Sequence, residues 1–213
     1  MKAVTLRLKR TIDLAAGVAG LAVLALPLGI IAAAIKLDSR GPVFFRQERI
    51  GQDGKAFRIW KFRSMTDKSE HTGMGYATGR SDPRITRVGR VLRPFSLDEL
   101  PQLFNIITGE MSLVGPRPTL KYQVDQYTPH QRRRLAAKPG MTSLASVRGR
   151  NDLPWAERIE LDVWYVDHWS LWLDLKILVR TPWVALVSRE GAYASSGAND
   201  DFVQPAPGGP TAR

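Results

Sequence analysis

Cysteine is missing from all 213 residues of the chain. This excludes a disulfide framework and any thiolate metal site. Histidine is almost as scarce: His71, His130 and His168 lie scattered along the sequence, a pattern that argues against zinc. Acidic residues are also in short supply, 20 against 31 Lys and Arg, which leaves a net charge of +11. Such an excess calls for anionic partners: anionic lipid, nucleotide phosphates or nucleic acid. Charge alone does not choose among them. A hard cation held by carboxylate and phosphate oxygens stays open. No internal repeat is present, and the length suits one compact domain with a real core.

Charge is absent altogether from Leu14 to Ile35. The run exceeds the roughly 20 apolar residues that a bilayer span needs. A cleaved signal peptide would fit the basic start, but its apolar region is usually about 7–15 residues. A straight spanning helix would leave Lys2, Arg7, Lys9 and Arg10 on one side and Lys36, Arg40, Arg46 and Arg49 on the other. The positive-inside rule wants one basic side only. A re-entrant hairpin keeps both basic ends in the cytoplasm. Pro27 offers the bend, because it removes a backbone donor and clashes with the carbonyl of Val23. Proline is tolerated in spanning helices too. The residues alone therefore leave spanning and re-entrant arrangements both open.

After the apolar run, 43–62 reads as two strands around Asp53-Gly54, a hairpin turn signal. Residues 64–82 are polar and glycine-rich, hence loop. Helical spacing is expected from Ile85 to Leu92 and from Leu100 to Ile107, stopping at Gly109. Helices are also expected over 119–137 and, as one long element, over 155–180. The latter carries Trp164, Tyr165, Trp169 and Trp172. These aromatics suit either a membrane–water boundary or a core. The tail from Ser195 is small, polar and Pro/Gly-rich, and reads as disordered.

The densest chemistry lies in Arg93-Pro94-Phe95-Ser96-Leu97-Asp98-Glu99-Leu100-Pro101, followed by Gly115-Pro116-Arg117-Pro118. Ser96 with Glu99 three residues on is a capping-box pattern. Pro101 conflicts with it, and fits better as a first helical residue after Leu100. The Asp-Glu pair would then precede a helix start, where phosphate is favoured. An aspartate carboxylate can attack phosphorus and form an acyl phosphate. Cations must then neutralise the phosphate oxygens. A neighbouring Glu could hold a metal or move a proton. Arg117, stiffened by a proline on each side, presents a guanidinium suited to phosphate; its bland alternative is a surface turn. Lys61 and Arg63 are similar candidates, with a solvated strand edge as the alternative.

Taken together these motifs resemble the bacterial sugar transferases, monotopic polyprenyl-phosphate phosphoglycosyl transferases. The matching text runs from Lys9-Arg10-Thr11-Ile12-Asp13-Leu14 through Gly41-Pro42-Val43-Phe44-Phe45-Arg46-Gln47 and Lys61-Phe62-Arg63-Ser64-Met65. It continues with Asp82-Pro83-Arg84-Ile85-Thr86, Ser96-Leu97-Asp98-Glu99-Leu100-Pro101-Gln102 and Met111-Ser112-Leu113-Val114-Gly115-Pro116-Arg117-Pro118. It ends with Trp169-Ser170-Leu171-Trp172-Leu173-Asp174-Leu175-Lys176. The resemblance covers roughly 5–185.

It implies a re-entrant helix broken at Pro27, Mg²⁺ with Asp98 and Glu99 as ligands, and a two-step reaction. Asp98 attacks the β-phosphate of a UDP-sugar, UMP leaves, and undecaprenyl phosphate takes the phosphosugar from the aspartate. Glu99 assists or binds the metal. Lys61, Arg63, Arg93, Gln102, Arg117 and Pro118 form the phosphate and substrate site. Two departures stand out: Ser143-Leu144-Ala145-Ser146 replaces the usual Gly-Leu-Trp-Gln, and Ser39-Arg40-Gly41-Pro42 replaces Ser-Pro-Gly-Pro. The implied fold is α+β: a small, mostly helical domain with a short β-hairpin, a re-entrant anchor and interfacial amphipathic helices.

The expected division is an anchor over 1–36, a catalytic domain over 37–194 and a tail over 195–213, in the minimal catalytic form. The expected place is the cytoplasmic face of a bacterial inner membrane, in contact with lipid, with a homodimer left open. No nucleic-acid motif is present. A membrane-anchored nucleic-acid binder and a non-catalytic scaffold remain as rival readings.

Overall fold

The computed structural model describes residues 3–66 and 81–188. It is mostly helical, with two small sheets. Most of the polar loop over 64–82 and the whole tail from Ser195 lie outside the described residues.

Helix α1, Ala3–Asp38, is 36 residues long and contains Pro27. At 1.5 Å per residue it spans about 54 Å. Pro27 does not end it, so the break expected there is absent as an interruption of the helix. The turns after the proline are held from outside: Leu28, Ile31, Ala32 and Ile35 pack against Phe62 and Leu92. Before it, Leu21 and Leu24 pack against Phe57, Ile59, Leu103, Ile106 and Met111. Polar ties fix the first turns. Lys9 donates to Asp174 at 2.6 Å and to the Val114 carbonyl at 3.0 Å. Arg10 donates to the carbonyls of Ile106 and Ile107 at 2.5 and 2.7 Å. Asp13 accepts from Ser112 Oγ and Leu113 N–H. The rest of α1 faces outward and is still apolar: Val18, Val23, Leu26 and Ile30 are exposed. Only 6% of its most apolar stretch is buried, which separates it from a core helix of the same composition.

Strands β1 (Phe44–Ile50) and β2 (Ala56–Phe62) pair antiparallel, from Phe44 opposite Phe62 to Ile50 opposite Ala56. Asp53 (φ 56°) and Gly54 (φ 76°) turn the hairpin as expected. Alternation along β2 puts Lys61 on the buried face of Phe57 and Ile59, so it points inward and not to a solvated edge. Helix α2 (Arg87–Leu92) starts at Thr86, whose hydroxyl accepts from the Gly89 N–H. A side chain at Gly89 would put its Cβ 1.9 Å from the Ser64 carbonyl oxygen, so only glycine fits there.

Two 3-10 turns follow, Arg93–Phe95 and Leu97–Gln102, joined by Ser96 in a left-handed conformation (φ 57°). Ser96 makes no side-chain cap, so the capping-box reading is not realised. The helix expected from Leu100 is this second turn plus α3 (Leu103–Thr108), which stops at Gly109.

Strand β3 (Ser112–Val114) pairs in parallel with β4 (Gly140–Thr142). Three-residue strands show too little alternation to be read from sequence. Between them the helix expected over 119–137 is split into α4 (Lys121–Asp125), α5 (Pro129–Arg132) and a 3-10 turn, Arg133–Ala136. The break falls at Thr128-Pro129, where Thr128 caps a new helix start. Helix α6 is Leu144–Arg148. The single element expected over 155–180 is two helices, α7 (Trp155–Asp167) and α8 (Leu171–Trp183), with Ser170 capping the second. Pro182 does not stop α8, which runs on into a π-turn, Val184–Ser188.

The aromatics divide. Trp155 and Tyr165 are core residues, whereas Trp164, Trp172 and Trp183 are exposed. Tyr165 and Trp169 donate to Asp174, the partner of Lys9, so the Trp169–Lys176 motif ties α7, α8 and α1 together.

Candidate active site

Lys61 from β2, Asp98 and Glu99 from the second 3-10 turn, and Arg117 from the strand-end loop after β3 face one cavity of about 340 Å³. That volume lies in the range of small-ligand sites, about 300–1,000 Å³. Arg93, Arg134, Arg150 and Arg158 add to its cationic wall. Leu113, Met141, Leu178 and Val184 make an apolar side toward α8.

The backbone explains the placement. Ser96 in the left-handed region reverses the chain between the two 3-10 turns. The tight winding then presents successive residues Asp98 and Glu99 to the same space. Glu99 Oε1 accepts from Lys61 Nζ at 2.7 Å and from Arg117 Nη2 at 2.9 Å. Burial alone would raise the Glu99 pKa, but Arg117 and Lys61 overcome it and hold the group far below the ordinary glutamate value. Asp98, 8% exposed, goes the other way. Burial pushes its carboxyl up, Glu99 adds to the rise, and Lys61 and Arg93 oppose it. Burial lowers the Lys61 pKa despite the pull of Glu99. One carboxylate is therefore locked in an ion-pair bridge, while its neighbour forms no ion pair among the described residues.

Arg117 is held from behind. Gly115 is pressed against the Lys138 carbonyl, so close that a Cβ would lie 2.2 Å from it. The flanking prolines remove freedom on both sides. Arg134, 1% exposed, donates to the Arg117 carbonyl at 3.0 Å and to Tyr127 Oη at 2.5 Å, and pairs with Asp162.

The sequence-based candidates separate here. Lys61, Arg93, Asp98, Glu99 and Arg117 meet in the cavity. Arg63 does not: it is buried under the end of α1, where it donates to the carbonyls of Ser39 (2.7 Å) and Arg40 (2.9 Å) and caps that helix. Its charge is spent on orphan C-terminal carbonyls, not on phosphate. Gln102 is 2% exposed in the packing at the end of the 3-10 turn, outside the cavity wall. Pro118 is buried and also outside it, acting only by framing Arg117.

Sequence reading passed over Arg134 and Asp162, which are hidden in a basic run and a helical pattern, and over Arg150. A positive charge directly after Gly149, next to an unusual loop, was the one signal for Arg150.

Among the described residues no group of three or more His, Cys, Asp or Glu side chains could hold a metal unaided. Asp98 beside a largely committed Glu99 supplies too few oxygens for a dedicated cage. It does fit Mg²⁺, which favours one or two carboxylates together with substrate phosphate oxygens.

The model of the bacterial sugar transferase family matches residues 4–188. This chain belongs to that family. It is 45% identical over 181 residues to the uncharacterized sugar transferase EpsL of Bacillus subtilis, covering 85% of this chain and 88% of the relative. It is 46% identical over 200 residues to the UDP-glucose:undecaprenyl-phosphate glucose-1-phosphate transferase of Caulobacter vibrioides, covering 90% and 73%. Against the undecaprenyl-phosphate galactose phosphotransferase of Salmonella typhimurium the figures are 42% over 200 residues, 87% and 42%. The chain thus spans under half of that last, longer sugar transferase.

Proposed function

We propose that the protein transfers a sugar 1-phosphate from a UDP-sugar to undecaprenyl phosphate, starting a surface polysaccharide or glycoconjugate. The observation that carries this is the pairing of a bridged Glu99 with an unbridged, buried Asp98 in one cationic cavity. The names of the Caulobacter and Salmonella relatives support the substrates.

Asp98 attacks the β-phosphorus. A new carboxyl–phosphate bond forms as the bond to the nucleotide oxygen breaks, and UMP departs with the electron pair. Undecaprenyl phosphate then attacks the same phosphorus and frees Asp98, leaving an undecaprenyl diphosphosugar. Lys61, Arg93 and Arg117 offset the phosphate charge, which otherwise repels an anionic nucleophile. Asp98 and Glu99 are the residues that would hold Mg²⁺ together with the donor's phosphates, and the ion would supply further charge neutralisation. The acceptor fits the apolar side of the cavity, where Leu178 and Val184 of the α8 region continue toward exposed Val179 and Trp183. That face, with the outward side of α1, seats the protein on the cytoplasmic side of the inner membrane; keeping both basic flanks on that side makes α1 re-entrant, with the unbroken helix bending at Pro27 on entering lipid.

The test is a screen of UDP-sugars with undecaprenyl phosphate and Mg²⁺, read as UMP release. The expected result is release with at least one donor, and none with Asp98→Asn. Turnover by Asp98→Asn at the wild-type rate would remove the covalent step.

A further inference from the structure

Arg150 opens the 3-10 turn Arg150–Asp152 after α6, with a backbone φ of 53°. A long side chain rarely sits in that left-handed region, and such strain persists only where the surroundings impose it. Here they do. Arg158, 7% exposed, braces the turn by donating to the carbonyls of Leu153 (2.7 Å) and Asn151 (2.8 Å). The strained backbone sends the Arg150 guanidinium across the cavity to Ser96 Oγ, 2.5 Å away and 54 positions earlier in the chain. Ser96 is itself left-handed and lies two residues before Asp98. Two strained positions from opposite walls thus meet beside the nucleophile.

That contact occupies only part of the guanidinium. Nη1 of Arg150 is buried and has no hydrogen-bond partner. A buried donor left idle is costly, and calls for an acceptor that arrives from outside. Burial and then Arg117 lower the Arg150 pKa, so the group already sits among like charges and away from water. The wall presents Lys61, Arg93, Arg117, Arg134, Arg150 and Arg158 against Asp98, Glu99 and Asp162, with Arg134 and Asp162 paired to each other. The net positive charge suits a diphosphate.

The position within the cavity selects which phosphate. The α8 side is apolar and suits a lipid chain. The Arg150 side is shared with Asn151, Trp155 and Arg158, and is polar and aromatic. We propose that Arg150 is a donor-binding residue that grips the phosphate departing with the nucleotide, exchanging its resting bond to Ser96 for that anion. This rests on the transferase reading above.

The experiment compares wild type with Arg150→Gln and Arg150→Lys in detergent or nanodiscs. Calorimetry measures UMP binding, and kinetics give KM for the UDP-sugar and for undecaprenyl phosphate. Arg150→Gln is expected to weaken UMP and raise the donor KM by about ten- to a hundredfold, with acceptor KM unchanged. Arg150→Lys, which keeps charge but not the fork, should fall between. If Arg150→Gln does not fold, shown by its thermal midpoint, Arg150→Lys carries the comparison. Unchanged UMP affinity in a folded variant, or a shift confined to the acceptor KM, overturns the assignment. Should wild type neither bind nor release UMP, the transferase reading fails by itself. Inorganic diphosphate then serves as probe: its loss in the variant upholds an anion grip by Arg150, and equal binding refutes it.

Discussion

Asp98 and Glu99 are adjacent and chemically alike, yet their environments drive them apart. Glu99 is bridged by Lys61 and Arg117 and stays ionised. Asp98 is raised above its ordinary 3.8. The attack proposed for Asp98 requires its carboxylate, so kcat/KM should rise with pH through an apparent pKa above the usual aspartate range. It should fall again below the ordinary lysine value of 10.5, where the depressed Lys61 loses its proton. The limbs belong to the interacting cluster and not to single residues. Lys61→Met removes the charge that pulls Asp98 down, so its acid limb should move to higher pH; a pH–rate profile that stays in place would show that Lys61 does not set the ionisation of Asp98. At the residue scale the acidic pair and most of the cations that meet it in the cavity were legible in the sequence, because motif chemistry is local. Arg63 was misread because two-residue alternation puts it on the Lys61 face, whereas β2 ends at Phe62 and Arg63 turns under the end of α1.

Among elements, what matters is how short, irregular pieces are made rigid. The Gly115–Pro118 segment is tied to β4 only at its start, where Gly115 N–H donates to the Thr142 carbonyl and the Pro116 carbonyl accepts from Gly140 N–H. Further on, the Arg117 carbonyl is held by a buried ion pair, Arg134 with Asp162. Removing one partner strands a charge, so Asp162→Ala should cost about 3–5 kcal/mol in chemical unfolding. The double variant Arg134→Met with Asp162→Leu should regain most of that stability, as apolar replacements of buried pairs often do. It should still turn over slowly, because the Arg117 carbonyl has lost its donor. Full activity in the double variant would mean the pair serves packing alone. The sequence showed the hairpin because Asp53-Gly54 is a strong local signal. It could not show β3 with β4, whose partners are 28 residues apart and three residues long. Nor did periodicity reveal the break at Thr128-Pro129, since the helical spacing resumes on the other side.

For the whole molecule, the exposed apolar residues collect on α1 and α8 while the basic cavity opens between the elements these helices flank. Trp172, Val179 and Trp183 are 63%, 71% and 63% exposed. A charge at the centre of this face should lift it off lipid: Val179→Glu is expected to weaken partition into anionic vesicles by about tenfold or more in a flotation assay. Unchanged partition would assign membrane attachment to α1 alone. Sequence hydropathy found α1 readily, but it could not show that the same helix is also a wall of the fold.

That double duty limits how the enzyme could be made water-soluble. Severing the chain after Asp38 would not liberate a free-standing catalyst. It would uncover Leu103, Ile106 and Phe62. It would also strand Asp174 without its lysine and leave the last carbonyls of α3 without Arg10. Grip on the bilayer and integrity of the fold are written into one stretch of chain, so evolution cannot discard the first without rebuilding the second.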